Sequence, residues 1–478
     1  MVTALSILMV SSEASPYAKS GGLADVLGAL PAALAALGHK VAVVIPRYQG
    51  ARTAPARRVI DVLPVSLGGG IYEVGVWELQ SAGVMYYFVD HPGLYDRNGL
   101  YGDQYGDFGD NHIRYGVLAK AALEIARLLF PTDIFHGHDW QAGLLPVYLK
   151  AAAAVNPVYL GSRTVMTIHN LGYLGIFPRN KMHEVSLPDS LYRPDLVEFY
   201  GSVSMLKAGL VFCDAITTVS RKYAEEIQTP EYGFRLEGLL RARSGQLTGI
   251  LNGADYSRWN PAADKLLCAG YTPEDLSGKR ECKAALLKEM GLPEQAIDKP
   301  LLGIVSRFAS QKGFDLIAEA AWKIFAEEDV YLVALGNGES RYEDLFRRLH
   351  HAFPNKVAIW LGYNDQLAHS IEAGADMFLM PSLYEPCGLN QIYSLRYGTV
   401  PIVRATGGLD DTINGETGFK FYDYNGYALL ETIRAALRAF ADREAWEKMM
   451  VKGMREDFSW APSALQYSEL YRKLHPAG

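Results

Sequence analysis

A chain of 478 residues is long enough for two domains, each with its own core. Hydrophobic residues make up 49% and charged residues 21%, an ordinary globular composition. The 46 Lys and Arg against 53 Asp and Glu leave a net charge of −7, which argues against nucleic acid or another polyanion as the main partner. Local basic clusters can still hold a small phosphorylated ligand. The four cysteines, Cys213, Cys268, Cys282 and Cys387, form no CxxC pair and no zinc-ligand spacing, so a reducing compartment is expected. No segment approaches the ~18 consecutive apolar residues that span a bilayer, and no membrane partner is expected. The apolar first ten residues contain no Lys or Arg and pass straight into a glycine turn. They are read as a core strand rather than a leader, and a cytoplasmic location is expected.

In chain order, Leu5 to Val10 predicts a short buried strand. Leu23, Val26, Leu27, Leu30, Leu34 and Leu37 then recur at helical spacing. Val41 to Ile45 is a second buried strand ending at Pro46. Val59 to Leu67, Ile71 to Leu79 and Val84 to Val89, separated by glycine turns, predict antiparallel or edge strands inserted in the sheet. Asp133 to His136, Arg163 to Ile168 and Ala215 to Ser220 return to the strand–helix rhythm. A second cycle starts near residue 250, with strands at Leu301 to Val305, Tyr331 to Leu335, Val357 to Leu361, Met377 to Met380 and Val400 to Val403. Strands alternating with helices predict parallel sheets, hence two doubly wound α/β domains. The boundary is placed near Gly249 to Gly253, where Asn252-Gly253 suits a turn. The expected domains are residues 1–249 and 250–460, with a C-terminal helix over 461–478 joining the first.

Three turns carry candidate chemistry. Lys19-Ser20-Gly21-Gly22 lies between a strand and a helix, where free N–H groups and the positive helix end suit an anion. Read by itself, it is equally an ordinary βα turn with a solvated lysine. Ser306-Arg307 to Gln311-Lys312-Gly313 repeats that layout in the second domain, and Arg can grip phosphate oxygens bidentately. Neither turn is a dinucleotide or P-loop fingerprint, which demotes both of those enzyme classes. Glu385-Pro386-Cys387-Gly388-Leu389 follows a strand and opens a helix. A carboxylate there can accept two sugar hydroxyls, or it can merely complement the helix dipole. His136, His138, Asp139, His169 and Asn170 cluster after strands of the first domain. His136 and His138 share one side of a strand without a clear third ligand, so no metal is expected. There is no Asp-x-Asp, and a sugar-nucleotide enzyme built this way would neutralise its leaving group with Arg and Lys.

Taken together, these motifs resemble the bacterial glycogen synthases and, by extension, the catalytic part of plant starch synthases. The resemblance runs from Ser12-Glu13 and Lys19 to Asp25, through His138-Asp139-Trp140, Thr167 to Asn170 and Leu251 to Gly253. It continues through Ser306-Arg307, Gln311 to Gly313, Glu385 to Leu389 and Thr406 to Leu409, ending at Asp457 to Trp460. It implies a GT-B fold, α/β, with two Rossmann-like domains facing across a deep cleft. The implied reaction moves glucose from ADP-glucose to the non-reducing end of an α-1,4-glucan, with retention and with neither a metal nor pyridoxal phosphate. By the same resemblance, Lys19 and the Gly21 and Gly22 N–H groups meet the donor, and Arg307 and Lys312 hold its diphosphate. Glu385 holds the glucose, with Gly388 and Leu389 on the donor side, while His169 lines the anomeric face. Asp139 lies near acceptor or sugar, and Asn252 and Tyr363 near the nucleotide. Two departures stand out: Asn390 where Thr is expected, and Ser20 for the commoner Thr.

No unambiguous nucleophilic carboxylate emerges for a double displacement, so front-face departure and attack is the expected route to retention. Three rivals have distinct signatures. They are a UDP-glucose-dependent GT-B enzyme with another acceptor, a phosphorylase-like enzyme with pyridoxal phosphate, and a non-catalytic glucan-binding protein. The last has no need of paired phosphate turns.

Overall fold

The computed structural model describes residues 4–476. The chain divides into two compact units. The first takes the chain up to Val219, Ala224–Gly253 and the residues from Trp460 onward. The second takes Ser220–Tyr223 and Ala254–Ser459.

The first unit is built on a sheet of nine strands: β1 (Ser6–Val10), β2 (Lys40–Pro46), β3 (Arg57–Leu67), β4 (Gly70–Ser81), β5 (Val84–Asp90), β6 (Ile134–His138), β7 (Arg163–Ile168), β8 (Ala215–Thr218) and β9 (Leu247–Gly249). Their order is β9-β8-β7-β6-β1-β2-β5-β4-β3. From β9 to β5 the pairing is parallel, and β4 and β3 add antiparallel edge strands. In β1 every residue from Ile7 to Val10 is buried, because helices cover both faces. Ile7 and Met9 pack in one layer with helix α1 (Gly22–Ala36) and the C-terminal helix Trp460–Leu474. Leu8 and Val10 pack in the other with α2 (Asn111–Leu128). At the edge, Leu63, Val65 and Leu67 of β3 are buried while Pro64 and Ser66 are exposed, the period-two pattern of a one-sided strand. A small sheet of Ile176–Pro178, Ser202–Ser204 and Glu198–Phe199 lies outside the predicted strands.

The second unit is an all-parallel sheet of six: β10 (Leu301–Val305), β11 (Tyr331–Gly336), β12 (Val357–Leu361), β13 (Met377–Met380), β14 (Val400–Arg404) and β15 (Phe419–Phe421), in the order β12-β11-β10-β13-β14-β15. Its helices include α3 (Ser277–Glu289), α4 (Phe314–Glu327) and α5 (Asn390–Arg396). Leu302 and Ile304 of β10 share a core with α4, and Leu301 shares one with Leu286 and Leu287 of α3.

Two boundary expectations are corrected. Residues 250–253 belong to the first unit: Ile250 N donates to Thr218 O, and Ser463 Oγ of the C-terminal helix donates to Leu251 O at 2.5 Å. Gly253 lies so close to that helix that a Cβ there would sit 2.6 Å from the Trp460 backbone. Conversely, Ser220–Tyr223 belongs to the second unit, because Ser220 Oγ donates to Pro386 O at 2.6 Å and Lys222 N to Asp411 at 3.0 Å.

Beneath α5, buried Lys279 of α3 donates to Ala373 O and Tyr397 O, both at 2.9 Å, and to Thr399 Oγ1 at 2.7 Å. Burial pulls its ammonium down to about 8. Lys279→Met keeps the stem and removes all three donors, so the variant should lose about 3 kcal/mol in urea unfolding. A loss below ~1 kcal/mol would show that these acceptors find other partners.

Candidate active site

The Lys19 turn is occupied by the protein's own anion. Glu13, only 3% exposed, points its carboxylate at the start of α1. Ser20 N and Gly21 N donate to Oε2 at 2.5 and 3.3 Å, Ser20 Oγ donates to Oε1 at 2.7 Å, and the Tyr101 hydroxyl donates there too. This corrects the expectation that the Gly21 N–H faces a ligand. A buried carboxylate needs donors, and the glycine turn supplies them. The Ser20 hydroxyl is likewise committed inward. Gly21 and Gly22 still present open space, since a Cβ at either would meet nothing within 4 Å. Lys19 is exposed, held among the described residues only by Asp25 of α1 at 2.6 Å. Such a surface pair is worth little and releases the lysine readily.

At the carboxyl ends of β6 and β7 the three histidines form a column. The His136 ring is fixed by Tyr471 OH at Nδ1 (2.7 Å) and Thr167 Oγ1 at Nε2 (2.6 Å). The His138 ring lies on it with centroids 4.1 Å apart. His138 Nδ1 is 3.0 Å from His169 Nε2. Burial pulls His136 and His169 down to about 3 and His138 well below the usual imidazole range, so all three are neutral at pH 7. These histidines are held by one another, by a threonine and by a tyrosine, while Nε2 of His138 has no protein partner among the described residues. Among the described residues no group of three or more His, Cys, Asp or Glu is placed to hold a metal ion.

Asp139 follows this column at φ +55°, a backbone region that costs a non-glycine residue of order 1–3 kcal/mol. Two contacts hold it there: its own N donates to Thr167 O at 2.9 Å, and its Oδ1 accepts His169 N at 2.7 Å. The strained turn aims the carboxyl back over β7, which brings Asp139 and His169 together. Burial pushes that carboxyl up to about 7, against the opposing effect of the His169 and Asn170 N–H groups.

In the second unit, the loops after β10 and β13 lock together. Leu383 N donates to Gln311 O at 2.9 Å, and Gln311 Nε2 donates to Tyr384 O at 3.2 Å. Gly313 has φ +72°, and a Cβ there would sit 1.9 Å from Pro381 O, so only glycine permits this approach. The result is an ion pair, Lys312 Nζ to Glu385 Oε2 at 2.6 Å, with the carboxylate 6% exposed. Ser382 Oγ adds a bond to the same oxygen at 3.1 Å. Oε1 takes no hydrogen bond among the described residues. Gly407, at φ +45°, closes on the Glu385 carbonyl from below. Arg307 stands exposed at the end of β10, its guanidinium without a protein partner among the described residues. Gly388 and Leu389 lead into α5, where Asn390 donates from Nδ2 to Val305 O at 2.8 Å. The departure from Thr at 390 therefore ties α5 to the strand that carries Arg307.

Asn252 lies in the first unit and Tyr363 in the second. Asn252 is buried with its Oδ1 lacking a protein partner among the described residues, whereas Tyr363 is 84% exposed with its hydroxyl on Asp365 at 3.2 Å. Sequence reasoning assigned no role to Glu13, Tyr101, Ser382 or Gln311. Glu13 carried a signal, a carboxylate seven residues before a glycine turn at a strand end. The other three had none that periodicity exposes.

Two family models match, "Starch synthase catalytic domain" over residues 6–242 and "Glycosyl transferases group 1" over residues 293–450. The chain is 50% identical over 479 residues to the glycogen synthase of Koribacter versatilis, covering 98% of each. It belongs to the glycogen and starch synthase family of glycosyltransferases. The glycogen synthase of Moorella thermoacetica is 46% identical, covering 98% of this chain and 96% of its own length. The catalytic domain of starch synthase IV from Arabidopsis thaliana, solved with ADP and acarbose, superposes with a TM-score of 0.90 at 32% identity, covering 99% of this chain and 100% of that one. The GT-B fold class expected from sequence is that of the family. No helix among the described residues is long and apolar enough to cross a membrane.

The raised Asp139 carboxyl makes a pH prediction. Between 3.8, where an unperturbed Asp titrates, and about 7, the folded chain keeps a proton the unfolded chain has lost. Stability therefore falls as pH rises through that window. Asp139→Asn keeps the Oδ1 acceptor and removes the titration. Its melting temperature should match the parent at the acid end and exceed it at pH 8. Melting curves offset equally at every pH would contradict this.

Proposed function

We propose that this glycosyltransferase transfers glucose from ADP-glucose to the non-reducing end of an α-1,4-glucan, with retention at the anomeric carbon. The observation that carries the reading is the Lys312–Glu385 pair beside Arg307 at the ends of two adjacent parallel strands. It offers two cations to a diphosphate and one carboxylate to a sugar. The names of the relatives and the ADP and acarbose bound to the Arabidopsis catalytic domain support the choice of donor and acceptor.

In the proposed reaction the bond between the glucose C1 and the β-phosphate oxygen breaks first. Arg307 and Lys312 stabilise the negative charge gathering on ADP, and Glu385 stabilises the positive charge on the sugar ring. The acceptor hydroxyl attacks from the face that ADP leaves, and its proton passes to the departing phosphate oxygen. Pairing with Lys312 engages Oε2 of Glu385, while Oε1 remains for a sugar hydroxyl. His169, neutral and half-buried, lines the sugar, and Asp139 fixes its backbone. Lys19 exchanges Asp25 for the donor. With two cations on the leaving group, the reaction needs neither a divalent ion nor pyridoxal phosphate.

Radiolabelled glucose should pass from ADP-glucose to glycogen, faster than from UDP-glucose and undiminished by EDTA. Equal turnover of UDP-glucose, or binding of glycogen without transfer, would defeat the reading. Arg307→Ala and Lys312→Ala should each lower kcat by about 10²–10³-fold. Lys19→Ala should raise KM for ADP-glucose with glycogen affinity nearly unchanged. A covalent glucosyl adduct trapped on Glu385 or Asp139 in a slowed variant would replace the front-face route with double displacement.

A further inference from the structure

We infer that His138 is a positioning residue that sets the tautomer of His169: its Nδ1–H donates to Nε2 of His169, so that His169 offers a Nδ1–H to the substrate. The inference rests on the proposed placement of His169 beside the sugar.

The geometry leaves one of two proton arrangements between the rings, which are 3.0 Å apart. If His169 donated from Nε2, His138 would have to accept at Nδ1 and carry its own proton on Nε2. His138 is fully buried, and no protein acceptor lies within reach of its Nε2 among the described residues. A buried N–H without an acceptor is the rarer and costlier orphan, whereas a bare ring nitrogen in an apolar setting is tolerated. The proton on His138 therefore sits on Nδ1, and Nε2 of His169 accepts it. A neutral imidazole carries one proton, so His169 holds its own on Nδ1. That nitrogen makes no bond to protein among the described residues, and His169 is the half-buried member of the column. It is a hydrogen-bond donor held out to a ligand, and it cannot act as a general base from that position.

The rest of the column keeps His138 from turning. Its ring rests on His136 with an interplanar angle of 34°. His136 is pinned at both nitrogens, by Tyr471 of the C-terminal helix and by Thr167 of β7, and Thr167 is bonded in turn to Thr217 Oγ1 of β8 at 2.6 Å. Rotation of the His138 ring would break its bond to His169. Supporting groups behind a reacting residue commonly contribute 10–100-fold, by orientation rather than contact.

The test uses the full chain labelled with 15N-histidine at pH 7. His169 should show a protonated Nδ1 and a bare Nε2, and His138 a protonated Nδ1. A proton on Nε2 of His169 would overturn the assignment. Kinetics supply the second arm. His138→Phe fills the same space without a donor and should lower kcat about 10–100-fold with KM for the donor within threefold. His138→Asn places an amide N–H where Nδ1 was and should recover most of that loss. His138→Gln, whose amide reaches the Nε2 position instead, should not. Equal activity of the Asn and Gln variants would overturn the positioning role, since both are polar and similar in size. Full activity of His169→Ala would remove His169 from the site and leave the tautomer result standing on the spectrum alone.

Discussion

A carboxylate taken out of water must be given hydrogen-bond donors or a cation, and both strand-end sites are shaped by that requirement. Glu13 meets it with the backbone N–H groups of a glycine turn, and Glu385 meets it with Lys312. The two solutions have opposite consequences. Backbone donors cannot leave, so Glu13 is a fixed brace that orders the turn, while Lys19 beside it pairs only with Asp25 at the surface among the described residues. A lysine side chain can swing away, so the Glu385 pair is a contact that can be remade, as proposed for the donor. The glycines serve this arrangement directly. Gly313 and Gly407 let three loops approach until backbone nearly touches backbone, and the 2.6 Å ion pair follows from that closeness.

The same economy governs the histidines. Three imidazoles lie at the end of adjacent strands, and among the described residues only His136 is bonded at both nitrogens. Their neutrality comes from burial, and neutral rings hydrogen-bond one another where charged rings repel. Asp139 extends the pattern: its left-handed backbone is sustained by bonds to Thr167 and His169, and strain of that kind persists only where the surroundings over-determine it.

Much of this was legible in residue order. The buried strands, the edge hairpin over residues 57–90 and the placement of Arg307, Lys312 and Glu385 at strand ends all follow from period and from turn chemistry. What escaped has separate causes. Strands of two or three residues, such as Phe419–Phe421 and Glu198–Phe199, are too short to show a period. The occupant of the Lys19 turn was hidden because an anion-binding geometry does not say whose anion binds. The boundary was placed four residues early because Ile250 to Gly253 are held by tertiary contacts within the first unit, among them to the C-terminal helix, which an Asn-Gly turn signal does not report. Asn390 stood out only as a departure from Thr, and its side chain bonds to Val305 O.

The return of Trp460–Leu474 to the first unit orders events during synthesis. Domains fold largely as they leave the ribosome, the earlier ones first. Here the second unit's residues up to Ser459 have all emerged before the first unit can be finished. Until Tyr471 is translated, Nδ1 of His136 has no partner, and the histidine column stands on an unfinished base. The nascent chain thus carries the Lys312–Glu385 pair complete while the histidine column still awaits its last support, so the second unit can finish before the first.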